Sequence, residues 1–411
     1  MAKVLVAFLF ILSFRDAYCQ QYDLEYYVAT GLSNSPLLKD YDNQILSAGI
    51  DSQLVKSVYK PQANFTSSNF YAPVINGYGY DPAVTNNGTY SSLVSVDQAF
   101  TGRKNKAAQL GTVRLQGDSL RNGKKMSEQD IRRSITNQYI IAYGDWQQLQ
   151  FNEEIHKLLS QEDTLLRKLT ESNIYRQTDY LTFLVTLQQQ ELQIRQLHLQ
   201  YQTDFATLNY LCGIFDTGLV SLTPPDITVL PLPDKTSSVF YKKFMLDSMI
   251  LDNNQALLNY SYRPKLGIYA NAGYNTSALY QVYKTLGTGF GLNFTVPIYD
   301  GHQRKLKTQK ISYLQNTVAH YKNFFNAQYD QQQAQLKQQL DNVESLITDI
   351  NKQIRYAETL ISVNGRLLTS GDAKIADFVI AINNYLNAKN LLAQNNISRL
   401  QVINQINYWN K

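Results

Sequence analysis

Residues 289–301 read GFGLNFTVPIYDG. Phe, Leu, Val and Ile alternate there with Gly, Asn, Thr and Pro, and a period of two is typical of a β-strand. Residues 266–274, LGIYANAGY, alternate in the same way, and a polar segment that contains Gly separates the two runs. We predict a pair of strands, about 264–276 and 287–299, with one apolar face and one small or polar face. The pattern suits a membrane barrel with lipid outside and water inside, although a half-buried soluble sheet would look similar.

The chain repeats this plan once, at an offset close to 200 residues. Tyr-Arg-Pro at 262–264 precedes the strand pair, and Tyr-Asp-Gly-His at 299–302 follows it. In the first half, Tyr-Lys-Pro at 59–61 and Phe-Thr-Gly-Arg at 100–103 bound a stretch rich in Ser, Asn and aromatic residues. Self-similarity at a fixed offset indicates two copies of one structural unit. The strands predicted from the repeat are about 62–80 and 89–101.

Long helices form the rest of each repeat. From Leu336 to Ile361, apolar residues recur at steps of four and three, which is the spacing of a coiled-coil seam. The remaining surface is Gln, Asn and Lys, so we expect helices that pack side by side with water on at least one face. The seam contains Leu336, Leu340, Val343, Ile347, Ile350, Ile354, Ala357 and Ile361. The predicted long helices, about 103–170, 174–211, 302–367 and 373–407, form two hairpins, and shorter helices, about 37–57 and 239–259, precede the strand pairs.

The N-terminus predicts export. Lys3 is followed by an apolar run and then by Ala17-Tyr18-Cys19, so residues 1–19 read as a signal peptide. A lipidated Cys19 is the alternative, although the residues before it lack the expected Leu and small residues. Removal of Cys19 leaves Cys212 alone, so we expect no intrachain disulfide and a packed Cys212 thiol.

A proline-rich segment separates the two halves. Residues 213–236 contain four prolines, a composition that favours a stiff linker over a helix. The first repeat is therefore placed at 20–212 and the second at 237–411.

Composition and motifs argue against several classes of function. The 38 basic and 33 acidic residues are spread without long runs, which does not favour a nucleic-acid partner. The four histidines do not fall at metal-ligand spacing, and the sequence has no phosphate loop, nucleophile elbow or HExxH motif. We therefore expect no enzyme activity, no catalytic residue, no cofactor and no metal site.

A four-stranded sheet with two open edges cannot lie in lipid, because backbone polar groups there must all be paired. The chain must therefore be completed by identical copies. Two, three or four copies would each supply an even number of strands, at least eight, and physical reasoning alone leaves that number open.

These features together resemble the TolC-type outer-membrane efflux family. The resemblance rests on two repeats of helix, strand pair and long hairpin, and most specifically on the segment Val296-Pro297-Ile298-Tyr299-Asp300-Gly301 that leads into a basic helix start. It implies an α+β membrane protein whose trimer forms a 12-stranded β-barrel in the outer membrane and an α-helical barrel in the periplasm.

The function that the resemblance implies is that of a passive exit duct in a tripartite efflux pump of the Gram-negative envelope. Its partners would be two further copies of the chain, a periplasmic adaptor protein, an inner-membrane pump and outer-membrane lipid. A duct for type I protein secretion is one alternative. A non-channel coiled-coil structural protein of the envelope and an exported ligand-binding β protein are the others.

The resemblance also assigns the turns of the two hairpins. Gly371 and Asp377 would lie at the periplasmic aperture, where a ring of carboxylates favours cations. The simpler interpretation of Asp377 is a carboxylate in the first helical turn, where the helix dipole favours it. The family pattern has a second acid three residues later, where this sequence has Ile380. The residues expected at the adaptor-contacting tips are Asn173, Tyr175, Arg176, Gln177, Asp179, Asp372 and Lys374.

Overall fold

The computed structural model describes residues 23–81, 88–216, 218–232, 235–277 and 282–410. The predicted signal peptide, residues 1–19, lies outside these ranges. In chain order the elements are α1 (Leu24–Asn34), α2 (Pro36–Val58), β1 (Gln62–Tyr71), β2 (Gly88–Phe100), α3 (Arg103–Glu171), α4 (Gln177–Cys212), α5 (Val239–Ser261), β3 (Lys265–Thr276), β4 (Leu286–Thr295), α6 (Gln303–Ser370) and α7 (Ile375–Trp409). Across the described ranges, no helix combines the length and the apolar character that a membrane crossing requires.

The chain divides into two compact units. Of the described residues, those within Asp40–Lys124 and Val239–Phe325 form the strand unit, and those within Met1–Lys39, Lys125–Ser238 and Asn326–Lys411 form the helix unit. The long helices α3 and α6 each contribute to both units.

The strand unit contains one antiparallel sheet in the order β1-β2-β3-β4. Hairpin pairing joins β1 to β2 and β3 to β4, as expected from the alternation. The central pairing, β2 with β3, joins the two repeats, and Val94 there lies opposite Ala272. Residues far apart in sequence therefore form one continuous surface.

Two strands are shorter than predicted. Strand β1 was expected to reach about residue 80 but ends at Tyr71, because Pro73 has no N–H to donate and Asn76-Gly77 form a tight turn. That turn closes with two hydrogen bonds between Ile75 and Tyr78, each 2.9 Å long. Strand β4 was expected to reach 299 but ends at Thr295, two residues before Pro297.

The predicted helices differ from the observed ones by at most three residues at either end, and α6 ends at Ser370 rather than about 367. Helix α4 begins at Gln177 rather than about 174, and α7 begins at Ile375 rather than about 373, because the preceding residues belong to structured turns. Helix α1 was not predicted. Its start is capped by Asp23, whose carboxylate accepts a hydrogen bond from the Tyr26 N–H at 2.9 Å.

The heptad seam of α6 is confirmed. Leu336, Ile350, Ile354 and Ala357 are buried, and the other seam residues are half-buried. Leu336 packs with Val402 and Ile406, while Ile350 and Ile354 pack with Ala388, so α7 returns along α6. Near the turns, both hairpins share one core of buried residues: Ile155, Leu159, Leu166, Phe183, Leu368, Ile375, Phe378, Val379, Ile382 and Leu386.

The proline-rich segment packs against the helix unit, which its composition did not predict. Leu222 is buried in a core that includes Tyr139 and Tyr201, and the Tyr139 hydroxyl donates a hydrogen bond to the Thr223 carbonyl at 2.8 Å. Cys212 is fully buried in the same core, where its thiol donates to the Tyr27 carbonyl at 3.3 Å. Burial raises the pKa of this thiol to about 12, so the cysteine is a packing residue.

Candidate functional site

The two hairpin turns share one backbone design. In the first turn, the N–H groups of Asn173 and Ile174 donate to the carbonyls of Thr170 and Leu169, both at 2.9 Å. In the second turn, Gly371 and Asp372 donate to Leu368 and Leu367 at 3.2 and 2.9 Å. These are the paired bonds of a Schellman motif, and the two sets lie 198 residues apart.

Both turns depend on a residue in the left-handed backbone region. Asn173 has a φ of 61° and Gly371 a φ of 78°. Asn tolerates this region better than most residues, and Gly enters it without a steric penalty. The sequence equivalence of Asn173 and Gly371 is therefore a shared conformational requirement.

The two turns pack directly on each other. The Tyr175 hydroxyl lies 2.9 Å from the carbonyl oxygens of both Leu368 and Ala373, so its single hydrogen bonds to one or is shared between them. A Cβ atom built on Gly371 would lie 3.2 Å from Cγ2 of Ile174. Burial, and then the Asp372 carboxylate, raise the pKa of Tyr175. Tyr175 thus connects the turns within one chain, a role that the sequence did not reveal.

The other predicted tip residues lie around this contact. Asp377 is exposed in the first turn of α7, and Asp179 is half-buried in the first turn of α4. Asp372 is exposed and accepts a hydrogen bond from the Ser370 hydroxyl at 2.7 Å. Arg176, Gln177 and Lys374 are exposed, and the side chains of Arg176 and Lys374 do not cap the helices that they precede. Ile380, one turn after Asp377, is also exposed.

An acidic pair between α3 and α4, in which Asp145 is buried and Asp204 is half-buried, is a feature that sequence reasoning missed. Asp145 is 3% exposed, and its Oδ1 accepts a hydrogen bond from Gln200 at 2.9 Å. Gln138 donates to Oδ1 of Asp204 at 3.1 Å. Burial raises the pKa of Asp145 well above its usual range, and the neighbouring Asp204 carboxyl adds to the effect. In the part of the chain that the structure describes, no three His, Cys, Asp or Glu side chains are placed to hold a metal ion.

The sheet has an exposed apolar band on one face. Paired residues of neighbouring strands point to the same side, so the register defines each face. In β3 the band runs from Leu266 to Ala272, roughly 23 Å at ~3.3 Å per residue, close to the ~25 Å apolar band of membrane barrels. Its large members, all exposed, are Phe65, Val94, Val96, Phe100, Leu266, Ile268, Phe290, Leu292 and Phe294.

Hydrogen-bonding groups lie on the same face as this band. Gln98 lies within the band, one row before Phe100, and its amide donates to the carbonyls of Tyr59 and Ala99, both at 3.0 Å. Beyond the other end of the band, Oγ of Ser67 lies 2.8 Å from Oγ of Ser92, which donates to the Tyr274 hydroxyl at 3.2 Å. These polar side chains therefore end the apolar surface on that side.

The opposite face is mainly polar, and its large apolar residues are Leu93 and Phe70. Asn64, Ser95 and Asn271 follow one another across β1, β2 and β3, and Asn271 lies opposite Gly289. A Cβ built on Gly289 would lie 2.7 Å from the Asn271 side chain, and one on Gly291 would lie 2.5 Å from the Tyr269 ring. The side chains of Asn271 and Tyr269 thus occupy the space beside the β4 glycines on this face. A larger residue would not fit there, which explains why Gly alternates with large apolar residues along β4.

The described fold is that of outer-membrane channel proteins. CusC, whose structures concern transmembrane channel formation, aligns with 97% of this chain and 95% of its own at a TM-score of 0.80 and 11% identity. The outer-membrane protein VceC of Vibrio cholerae aligns with 94% of this chain and 96% of its own, at a TM-score of 0.74 and 13% identity. The open-state MtrE channel of Neisseria gonorrhoeae aligns with 94% of this chain and 88% of its own, at 0.76 and 10%.

No protein-family sequence profile and no curated protein sequence matches this chain. Because the sequence identities are only 10–13%, the structural likeness establishes the fold and nothing more. The helix-rich α+β fold implied by the resemblance to the TolC-type family is therefore confirmed.

Proposed function

We propose that this chain is an outer-membrane channel and serves as the exit duct of a tripartite efflux pump. The observation that carries the proposal is the sheet with an exposed apolar band on one face and Asn, Ser and Gly on the other. Phe290 is 92% exposed and Phe294 is 67% exposed in the single chain. Such residues are favourable against lipid and unfavourable against water, while the polar face suits a water-filled lumen.

The active form in this proposal is a homotrimer. Strands β1 and β4 each pair on one side only within the described chain, so both edges need a neighbour in lipid. Three copies would close 12 strands, as in the barrel that the family resemblance implies.

The hairpin tips are proposed to form the periplasmic aperture and the contact with an adaptor protein that couples the duct to an inner-membrane pump. The exposed side chains of Asn173, Arg176, Gln177, Asp372 and Lys374 support an adaptor contact. Exposed Asp377 would supply one carboxylate per protomer to the aperture. Tyr175 is proposed to hold the two tips of each protomer together, because its hydroxyl is already used within the chain.

Conductance in planar bilayers, together with the mass of the detergent-extracted assembly, tests the channel proposal. The parent protein should form a trimer and conduct ions. The double variant F290K/L292K should insert poorly, because both positions lie inside the apolar band and each charge on the lipid face costs up to about 2–4 kcal/mol near the bilayer centre.

The matched control places the same charges on the polar face of the same sheet, in N271K/N293K. This variant should still insert and conduct, with altered ion selectivity. Equal insertion of both variants, or a stable monomer without conductance from the parent, would contradict the proposal.

A further inference from the structure

A cleft of about 330 Å³ lies in the strand unit, where β2 leads into α3 and where α5 leads into β3. Its walls are two chain segments, residues 100–105 on one side and Tyr260 with residues 263–265 on the other. Both repeats therefore contribute to it.

The cleft is strongly basic. Arg103, Lys104, Arg263 and Lys265 line it, all four are exposed, and no Asp or Glu is among the lining residues. None of the four forms an ion pair with a described residue. The Arg263 guanidinium lies over the Tyr260 ring, 4.8 Å from its centroid, which holds it at the rim without neutralising its charge.

The nearest acid beyond β4 is already engaged elsewhere. The Asp300 carboxylate accepts a hydrogen bond from the Arg304 N–H at 2.8 Å, and its bond with the Tyr262 hydroxyl lowers the pKa of Asp300. Both of these donors are neutral, so Asp300 keeps its negative charge, but it is not among the lining residues and forms no ion pair with the four cations. An anion from outside the chain fits this cleft.

The apolar band ends at the same place. Phe100 lines the cleft and lies opposite Leu266, which in turn lies opposite Phe294 at the end of the band. A ligand with an anionic head and apolar chains would therefore satisfy both surfaces at once. A free phosphate ion would use only the cations.

We propose that this basic cleft binds the phosphate group of an anionic phospholipid whose acyl chains lie along the apolar band. The inference rests on the proposed membrane insertion of the sheet. Since the proposed periplasmic helices start at this end of the sheet, the bound lipid belongs to the periplasmic leaflet. Cations beside a membrane surface each contribute to anionic lipid binding, and Arg adds bidentate bonds to phosphate.

The test uses the detergent-extracted assembly and native mass spectrometry to count retained lipids, with dioleoyl phosphatidylglycerol and dioleoyl phosphatidylcholine as probes. The parent should retain phosphatidylglycerol in preference to phosphatidylcholine, and excess inorganic phosphate should not displace it. The variant R103Q/K104Q/R263Q/K265Q should lose this preference by about tenfold or more.

The control variant K157Q/R195Q/K337Q/R355Q removes the same two Arg and two Lys charges from exposed helical positions of the helix unit. It should retain phosphatidylglycerol like the parent. If the fourfold cleft variant does not assemble, R103Q/K104Q replaces it, because Lys265 lies on the polar face by register, and the expected loss is about threefold or more.

The outcomes separate this inference from the proposed function. Equal phosphatidylglycerol retention by the parent and the cleft variant overturns the lipid site, even when both conduct in bilayers. Displacement by inorganic phosphate overturns the lipid as the ligand. Selective retention by a parent that never conducts supports the cleft and contradicts the channel.

Discussion

Asn173 and Gly371 occupy equivalent positions and solve the same problem with different residues. Each ends a long helix in the left-handed region, so that the chain can reverse and begin the returning helix. A Cβ on Gly371 would also lie close to Ile174 of the other turn. The two positions should therefore respond differently to substitution.

Gly371→Ala should destabilise the tip by about 1–2 kcal/mol, because it forces a Cβ into the left-handed region and to within 3.2 Å of Ile174. Asn173→Gly is the matched control and should change stability little, because Gly adopts the same backbone angles freely. Thermal unfolding of the extracted protein measures both changes. Equal unfolding temperatures for Gly371→Ala and the parent would show that the tip contact does not limit stability.

Asp377 is the residue through which the proposed aperture would act on ions. Asp377→Asn should reduce cation preference in planar bilayers, because it removes one exposed carboxylate from each protomer at a narrow opening. Reversal potentials under a salt gradient report the effect. Asp179→Asn, at the half-buried equivalent position in the first turn, is the comparison and should change selectivity less. Unchanged selectivity in Asp377→Asn would leave Asp377 as a helix-start carboxylate only.

At the scale of elements, apolar seams hold the helix pairs together, and two of the polar contacts that they enclose join α3 to α4 through buried residues. One is the pair formed by Gln190 and Asn152, whose side chains hydrogen-bond at 2.8 Å between α4 and α3. The other is the Asp145–Asp204 pair. Only the second contains a buried group whose charge changes with pH.

Asp145→Asn should stabilise the helix unit at high pH. Because the pKa of Asp145 is raised in the folded state, its burial carries no charge penalty below the pKa of an unfolded aspartate, about 4. The penalty grows as the pH rises from there toward the raised value. The variant should therefore gain about 1–3 kcal/mol at pH 8 and little at pH 4.

Unfolding temperatures of the extracted protein across this pH range check that prediction. Asp341→Asn, at an exposed position of α6, is the control and should change the unfolding temperature equally at both pH values. A gain from Asp145→Asn that is the same at pH 4 and pH 8 would contradict the assignment.

At the scale of the whole molecule, the two sheet edges decide how the chain assembles. Phe65 in β1 and Thr288 in β4 lie in one row across the sheet, through Val94 and Ala272. Three strand spacings separate them, roughly 14 Å at ~4.8 Å each. A disulfide requires Cα atoms within about 7 Å, so cysteines at these edges cannot bond within one chain.

Cysteine at position 65, combined with cysteine at 288, 290 or 292, should therefore form disulfides only between copies. Closure of the proposed barrel predicts covalent dimers and trimers on denaturing gels for at least one of the three pairs. Phe65→Cys alone is the control and should give monomers, and native Cys212 is buried. Monomers from all three pairs, in protein that conducts, would refute edge-to-edge closure.

Local patterns in the sequence were sufficient to predict most of the helices, the strands and their repetition. Alternation in 266–274 and 289–295 and the heptad steps from Leu336 are local patterns, and the periods of strands and helices are fixed by backbone geometry. The predicted ends of β1 and β4 were too late, because Pro73 with the following turn and Pro297 end these strands earlier. Helix α1 was missed although Asp23 caps it, because one capping side chain is a weak signal in a sequence.

Contacts between residues far apart in the chain could be identified only from the folded structure. The pairing of β2 with β3, the bond from Tyr175 to the other turn, the burial of Asp145 and the basic cleft all join residues far apart in the chain. No local pattern encodes such contacts, because they depend on the packing of whole helices and strands. The sequence therefore determined what the surfaces are made of, and the fold decided where those surfaces lie.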